Sequence, residues 1–183
     1  MPEKPVIHNT TVVAESKLFR IEQLQLQFSN GQERVFERIR GNRKTGGSVM
    51  MVPMLDHNTV LLVREYAAGL DAYELGLPKG LLEVGETLEQ AADREMQEEI
   101  GYAAKKFTYI RSMSASPGHM AGKMHVVVAE QLYQQRLEGD EPEPIEVVPW
   151  SLDQLDELII RDDFSEARGI AALLWVKYCF KKE

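Results

Sequence analysis

Cysteine is almost absent from this chain. Cys179 is the only one among 183 residues, so no intrachain disulfide can form, and the expected setting is a reducing compartment such as the cytoplasm. Long apolar runs are missing too: the longest, residues 170–176, falls far short of the roughly 20 residues a membrane-crossing helix needs. The opening residues MPEKPVIHNT carry no apolar signal core. Positive charge is also in short supply. The formal net charge is −8, whereas the phosphate backbone of a nucleic acid calls for a basic face. Neither nucleic acid nor membrane is an expected partner, and no internal repeat or low-complexity tract points to a solenoid or a disordered tail.

What is present is the composition of a soluble globular protein. Hydrophobic residues make up 44% and charged residues 27%, enough for a real core within one compact domain, or one domain with a small extension. Residues 1–9, with Pro2 and Pro5, read as an untied tail. From Thr10 onward strand signals dominate, and Asn30-Gly31 predicts a hairpin turn of type I′, so residues 10–40 read as a small antiparallel sheet. The stretch GNRKTGGS, residues 41–48, is glycine-rich and basic at Arg43 and Lys44. Its spacing fits no phosphate-binding loop, and it reads as a linker. The expected division is an N-terminal β-sheet extension over 1–44 and a main domain over 45–183. In the main domain, 49–55 and 59–66 read as a second hairpin, and 107–113 and 124–132 as strands. The acidic, proline-broken segment 139–149 reads as loop. Ser151 is placed to cap a helix through Ile160, with Gln154 at the reciprocal position, and a last helix covers about 165–180. Strands first, one helix embedded among them and helices at the end describe an α+β fold with a mixed sheet.

The stretch GLLEVGETLEQAADREMQEEIGY, from Gly80 to Tyr102, carries the chemistry. Thr87 and Gln90 have the form of a capping box, which starts a helix at Leu88 that runs to about Ile100. Leu88, Ala92, Met96 and Ile100 recur every four residues as a core-facing stripe. Glu95, Glu98 and Glu99 share a face bordering that stripe, because positions i, i+3 and i+4 of a helix lie together. Like charges at this spacing destabilise a helix. A hard divalent cation resolves the conflict, and Mg2+ is the usual partner of carboxylates and substrate phosphates.

The frame around these glutamates is Gly80, five residues, Glu86, seven residues, then Arg94-Glu95-Met96-Gln97-Glu98-Glu99-Ile100-Gly101-Tyr102. It resembles the box of the Nudix family, G-x5-E-x7-R-E-U-x-E-E-x-G-U with U apolar, at every specified position. A chance match at a given register is on the order of one in a hundred million. The resemblance implies an α/β/α sandwich and hydrolysis of a nucleoside diphosphate linked to another moiety. It implies that Glu95 and Glu99 ligate Mg2+ (or Mn2+), with Glu98 as a ligand or proton acceptor and Lys79 giving its backbone carbonyl. Arg94 would hold one carboxylate in place, Glu86 would support Arg94, and Gly80 and Gly101 would shape the motif.

Substrate choice lies outside the box. Val63-Arg64-Glu65-Tyr66, Tyr73-Glu74-Leu75, Pro117 sixteen residues after Gly101, and Glu138-Gly139-Asp140-Glu141-Pro142-Glu143-Pro144 together resemble the Nudix branch acting on ADP-linked compounds. That resemblance implies cleavage of ADP-ribose, diadenosine polyphosphates and NADH to release AMP. It makes Arg64, Glu65, Lys79 and Pro117 candidate substrate contacts, and either Glu141 or Glu143 the activator of the attacking water. Ala67 and Ala68 stand where relatives often carry a second arginine, which argues against strict ADP-ribose specificity. His119 is a loop histidine with no recognisable partner. The same branch implies a homodimer whose N-terminal sheet crosses to the partner. Two other readings are a Nudix hydrolase of a different nucleotide derivative, such as a GDP-sugar, and a non-enzymatic nucleotide sensor.

Overall fold

A computed structural model describes residues 3–42 and 46–180 of the chain. Arg43 and Lys44, the basic residues of the expected linker, lie outside the described residues, and so does the domain boundary drawn beside them. Two compact units are present.

The first unit holds a three-stranded antiparallel sheet, β1 (Val6–Glu15), β2 (Phe19–Gln27) and β3 (Glu33–Gly41), in the order β1-β2-β3. Ser114–Lys123 belongs to the same unit and is stitched to β3 by Ile39 N donating to His119 O at 2.7 Å and Ala121 N to Ile39 O at 2.9 Å. The tail expected over 1–9 is instead the start of β1, paired from Val6 with Gln27. All ten residues of β1 are exposed, so no in–out alternation marked it as a strand. The β2–β3 turn also differs from expectation. Gly31 N donates to Phe28 O at 2.9 Å, and Gly31 alone enters the left-handed region, at φ 81°. A type I′ turn needs both central residues there, so this is a type I turn closed by a glycine bulge.

The second unit contains β4 (Ser48–Pro53), β5 (Thr59–Ala67), β6 (Ala72–Gly76), β7 (Lys79–Leu81), β8 (Tyr102–Met113), β9 (Met124–Gln134) and β10 (Glu146–Ser151). Its helices are α1 (Leu88–Glu99), α2 (Leu155–Ile159) and α3 (Ala167–Cys179). A four-stranded mixed sheet runs β7-β4-β9-β8, with β4 and β9 parallel, and a three-stranded sheet runs β10-β5-β6. The hairpin ladder expected from 49–66 does not form: β4 and β5 lie in different sheets, and only their connecting turn is paired, by the bridge between Met54 and Val60 and by Leu55 N donating to Thr59 O at 2.8 Å among the described residues. The reason lies in their composition. Val49 to Val52 and Val60 to Val63 are buried without a break, as expected of strands covered on both faces, and each is the inner strand of its own sheet.

Alternate residues of these strands feed two apolar layers. Met50, Val52, Val126 and Val128 pack with Leu155, Leu158, Leu173 and Val176. Val49, Met51, Val127 and Ala129 pack with Ala92, Met96 and Ile100 of α1. Helices therefore cover both sides of the β layer, which is the α/β/α sandwich. Two details near the C-terminal end depart from the sequence reading. Residues 146–151 form a strand despite Pro149, because β10 is an edge strand, where a missing N–H is tolerated. The helix expected from Ser151 is a 3₁₀ turn, Leu152–Gln154, followed by the short α2, and Gln154 makes no capping bond. Asn58 Nδ2 donates to Ser151 Oγ and to Asp153 Oδ2, both at 2.9 Å, tying this segment to the β4–β5 loop.

Candidate functional site

The site is built on α1. The capping box forms as its residues predict: Thr87 Oγ1 accepts from Gln90 N at 3.2 Å and Gln90 Oε1 from Thr87 N at 2.9 Å. At the other end Ile100 caps the helix and Gly101 turns the chain away in the left-handed conformation, φ 73°. With Ala92, Met96 and Ile100 fixed in the core, the glutamates are turned toward β7. Glu95 Oε1 accepts from Leu81 N at 3.1 Å, and Glu99 Oε2 from Lys79 N at 3.2 Å. Gly80 lies between those two amides. A Cβ at Gly80 would fall 1.9 Å from Glu95 Cδ, so only glycine lets the carboxylate lie against the strand.

Arg94 is the hub. Its Nε and Nη2 grip Glu86 at 2.9 and 3.1 Å, its Nη1 meets Glu95 at 2.8 Å and Glu98 at 3.1 Å, and Nη2 also donates to Leu81 O at 3.0 Å. All five guanidinium donors are thereby engaged, and the bonds to Glu86 lift its pKa further. Three glutamates share this one cation. Glu99, only 6% exposed, has no guanidinium. Burial pushes it up to about 8, against the pull of Lys79 and with the repulsion of Glu95 and Glu65. Burial also raises Glu95, although Arg94 opposes the rise. Among the described residues no three carboxylate, imidazole or thiol groups converge as a metal cage; Glu95 and Glu98 meet on Arg94 instead.

Beside this cluster a cavity of about 270 Å³ is lined by Val63, Glu65, Ala67, Glu74, Lys79 and Glu166 among others. Lys79 Nζ lies 3.0 Å from Glu65 Oε2. Burial pulls this amine down, but Glu65, Glu166 and Glu99 outweigh it and hold Lys79 above its ordinary value. Glu74 Oε2 accepts from Ser165 Oγ at 2.7 Å and Ser165 N at 3.2 Å. Ser165 and Glu166 drew no attention as sequence, since only the packing of the segment before α3 brings them to the cavity.

The remaining candidates separate. Arg64 follows Val63 and precedes Glu65 on β5, so its side chain lies on the opposite face from the cavity. It donates to Glu146 at 3.0 Å and to Asp163 at 2.9 Å. Asp163 also accepts from Arg161 at 2.7 Å and is held well below the usual carboxylate range. The structure thus engages Arg64 in joining β5, β10 and the residues after α2, not as a free cation for substrate. Pro117 and His119 belong to the first unit. The two glutamates of the acidic loop differ. Glu143 Oε1 accepts from Tyr73 Oη at 2.6 Å. Glu141 is raised by burial and then by the charges of Glu65 and Asp140, with Lys79 opposing, which sets it in the field of the Glu65–Lys79 pair.

Comparison with known proteins bears on the fold and the family. The model of the NudE-type Nudix hydrolase N-terminal domain matches residues 5–38, and that of the NUDIX domain residues 44–173. The chain is 44% identical to the ADP compounds hydrolase NudE of Escherichia coli (strain K12), over 98% of this chain and 95% of that protein. It is 32% identical to an ADP-ribose pyrophosphatase of Bacillus subtilis (strain 168), over 73% of this chain and 74% of the other. A crystal structure of an ADP compounds hydrolase superposes with a TM-score of 0.87 at 44% identity, covering 97% of this chain and 94% of that one.

Proposed function

The chain belongs to the Nudix hydrolase family, and from that premise we propose that it cleaves the pyrophosphate linkage of ADP-linked compounds, namely ADP-ribose, diadenosine polyphosphates and NADH, releasing AMP. The observation that carries this reading is the seating of Glu95 and Glu99 on the backbone amides that flank Gly80, with Arg94 bound to Glu95, Glu98 and Glu86 but not to Glu99. The relatives named for ADP compounds and ADP-ribose support the substrate class. Nudix hydrolases act on small nucleotide substrates and generally need divalent metal ions.

The residues fit such an ion. They offer hard oxygen donors, they carry more negative charge than Arg94 balances, and the glycine between them keeps the backbone accessible. We assign Glu95, Glu98, Glu99 and the Lys79 carbonyl to Mg2+, with Mn2+ able to replace it. When bound, the ion supplies Lewis acidity and a lowered water pKa. The chain does the rest. Arg94 fixes Glu86, Glu95 and Glu98 relative to one another, which removes reorganisation from the reaction. Lys79, paired with Glu65 at the cavity, offers a point charge to a phosphate. Glu141 accepts the proton of the attacking water as the water oxygen bonds to phosphorus and the bond to the leaving phosphate breaks.

A substrate panel with Mg2+ or Mn2+, its products identified by mass, tests the reading. AMP from ADP-ribose or NADH is expected, and exclusive GMP release from GDP-sugars would overturn it. We further propose a homodimer formed through the first unit. Support comes from the side chains left outside on β1, where Val6 is 58% and Ile7 50% exposed. Deleting residues 1–40 should give a monomer by light scattering, and a truncated dimer would refute the arm. The net charge of −8 supports a site closed to nucleic acid. No helix among the described residues is long and apolar enough to cross a membrane, and the exposed free thiol of Cys179 supports a reducing compartment, the cytoplasm, as the setting.

A further inference from the structure

The acidic loop between β9 and β10 has firm ends and a sparsely held middle. On the near side Leu137 N donates to Gln97 O at 3.1 Å, and Gly139 backs onto Glu98, where a Cβ would sit 3.4 Å from Glu98 Cβ. On the far side Ile145 packs against the α1 layer and Glu146 is bonded to Arg64. Between these anchors, among the described residues, one side-chain hydrogen bond reaches residues 140–144: Tyr73 Oη to Glu143 Oε1, 2.6 Å.

The donor is itself braced. Tyr73 lies directly opposite Tyr66 on β5 and β6, with the rings edge-on at 5.7 Å and 66°. Such cross-strand aromatic pairs steady a sheet surface. Tyr66 Oη in turn donates to Asp71 Oδ1 at 2.6 Å. The ring of Tyr73 is 51% exposed, so its place is not explained by core packing. The acceptor is stiffly linked to the residue that matters. Glu141 and Glu143 each precede a proline, in the run Glu141-Pro142-Glu143-Pro144. A residue before proline is biased away from the helical region toward extended conformations, and the proline's own φ is fixed. Holding Glu143 therefore sets the course of the chain at Glu141.

We infer that Tyr73 is a positioning residue, which through its bond to Glu143 holds the acidic loop so that Glu141 faces the Glu65–Lys79 pair. This rests on the reading of Glu141 as proton acceptor. The tether acts on turnover and not on substrate affinity, because neither Tyr73 nor Glu143 lines the cavity.

The test uses the full chain with Mg2+ and ADP-ribose. Tyr73→Phe keeps the ring against Tyr66 and removes only the hydroxyl. It and Glu143→Ala should each lower kcat by roughly 10- to 100-fold, within the range of one charge-assisted hydrogen bond, with KM within about twofold. The double variant should be no slower than the worse single one, since both changes cut the same tether. Glu143→Gln keeps an acceptor oxygen and should recover most of the loss seen in Glu143→Ala. Wild-type kcat in Tyr73→Phe, or losses that multiply in the double variant, would overturn the tether. A Glu143→Gln variant as slow as Glu143→Ala would also overturn it, by placing the Glu143 charge itself in the reaction. Glu141→Gln separates the two levels. An inactive Glu141→Gln beside an unimpaired Tyr73→Phe removes the tether alone, whereas a fully active Glu141→Gln removes the proton-acceptor reading beneath it.

Discussion

Glu22 on β2 and the glutamates of α1 show one interaction in opposite proportions. Glu22, 3% exposed, meets three guanidiniums: Arg20 and Arg38 at 2.7 Å and Arg40 at 3.9 Å. Around α1 the ratio is inverted, with Glu86, Glu95 and Glu98 sharing Arg94 while Glu99 has only an amide and the charge of Lys79. Burial raises Glu22, but its bonds to Arg38 and Arg20 win and leave it below the ordinary value. Burial wins at Glu99 and at Glu95. A carboxylate surrounded by cations is complete as it stands and holds three strand positions together. A set of buried carboxylates with one cation among them still lacks positive charge, and perturbed carboxylates beside a cavity are where chemistry is expected.

The hardest blow to this contrast is Glu99→Gln. On α1 it removes a proposed ligand and should lower kcat/KM by about 10³-fold or more, comparable to the loss of a principal catalytic group. The matching change Glu22→Gln should instead appear as stability, about 1–3 kcal/mol in denaturant unfolding for a weakened ion-pair set. A Glu99→Gln enzyme that keeps a tenth of its turnover would leave the inverted ratio without functional meaning. Next in size is Gly80→Ala. Its Cβ would meet Glu95 Cδ at 1.9 Å and force the carboxylate off the Leu81 amide. We expect Mn2+ affinity, measured by calorimetry, to fall by about 10- to 100-fold, as when a ligand's support is lost. Unaltered affinity would show that Glu95 has another seat.

Proton linkage sharpens the comparison at lower cost to the molecule. A carboxyl whose pKa is raised by folding binds its proton more tightly in the folded chain. Its contribution is complete below the ordinary 4.5 and is lost as pH rises through about 8. Metal-free protein should therefore melt at lower temperature as pH goes from 5 to 8. Mg2+ should flatten that slope, and Glu99→Gln should abolish much of it. Glu22 has the opposite sign: its contribution is present above 4.5 and fades as pH falls below that value. A metal-free melting temperature that climbs between pH 5 and 8 would contradict the assignment at Glu99.

The two regions were unequally legible in the sequence. The α1 box could be read almost whole because its determinants are local: a capping pair three residues apart, an apolar repeat of four, and glutamates fixed on one helical face. Even the Glu86–Arg94 pair lies within a single turn-and-helix unit. Strand pairing is not local. The runs 49–52 and 60–63 carry no alternation because both are buried on two faces, so nothing in them tells a hairpin from inner strands of separate sheets. β1 fails from the other side: every residue is exposed, and its pairing with β2 leaves no apolar period. Glu22 went unnoticed for a related reason. Its three arginines come from two strands, and only the β2–β3 register, with Glu22 opposite Arg38 and Arg20 opposite Arg40, gathers them.

Arg64 supplies the smallest and most discriminating test, since the sequence marks it as a substrate contact and the structure gives it a different occupation. It sits on β5 between two cavity-lining residues, Val63 and Glu65, yet alternation turns it to the other face, onto Glu146 and Asp163. There it resembles the Glu22 device, with cations and carboxylates satisfying each other, and not the under-compensated α1 cluster. If that is its work, Arg64→Ala should lower stability by about 1–2 kcal/mol, the scale of a partly exposed charged hydrogen-bond pair. KM for ADP-ribose should stay within about twofold, because Lys79 and not Arg64 faces the cavity. A tenfold or larger rise in KM with unchanged stability would move Arg64 to the substrate, and would mean that the β5–β10 contacts exchange for phosphate contacts when the nucleotide binds.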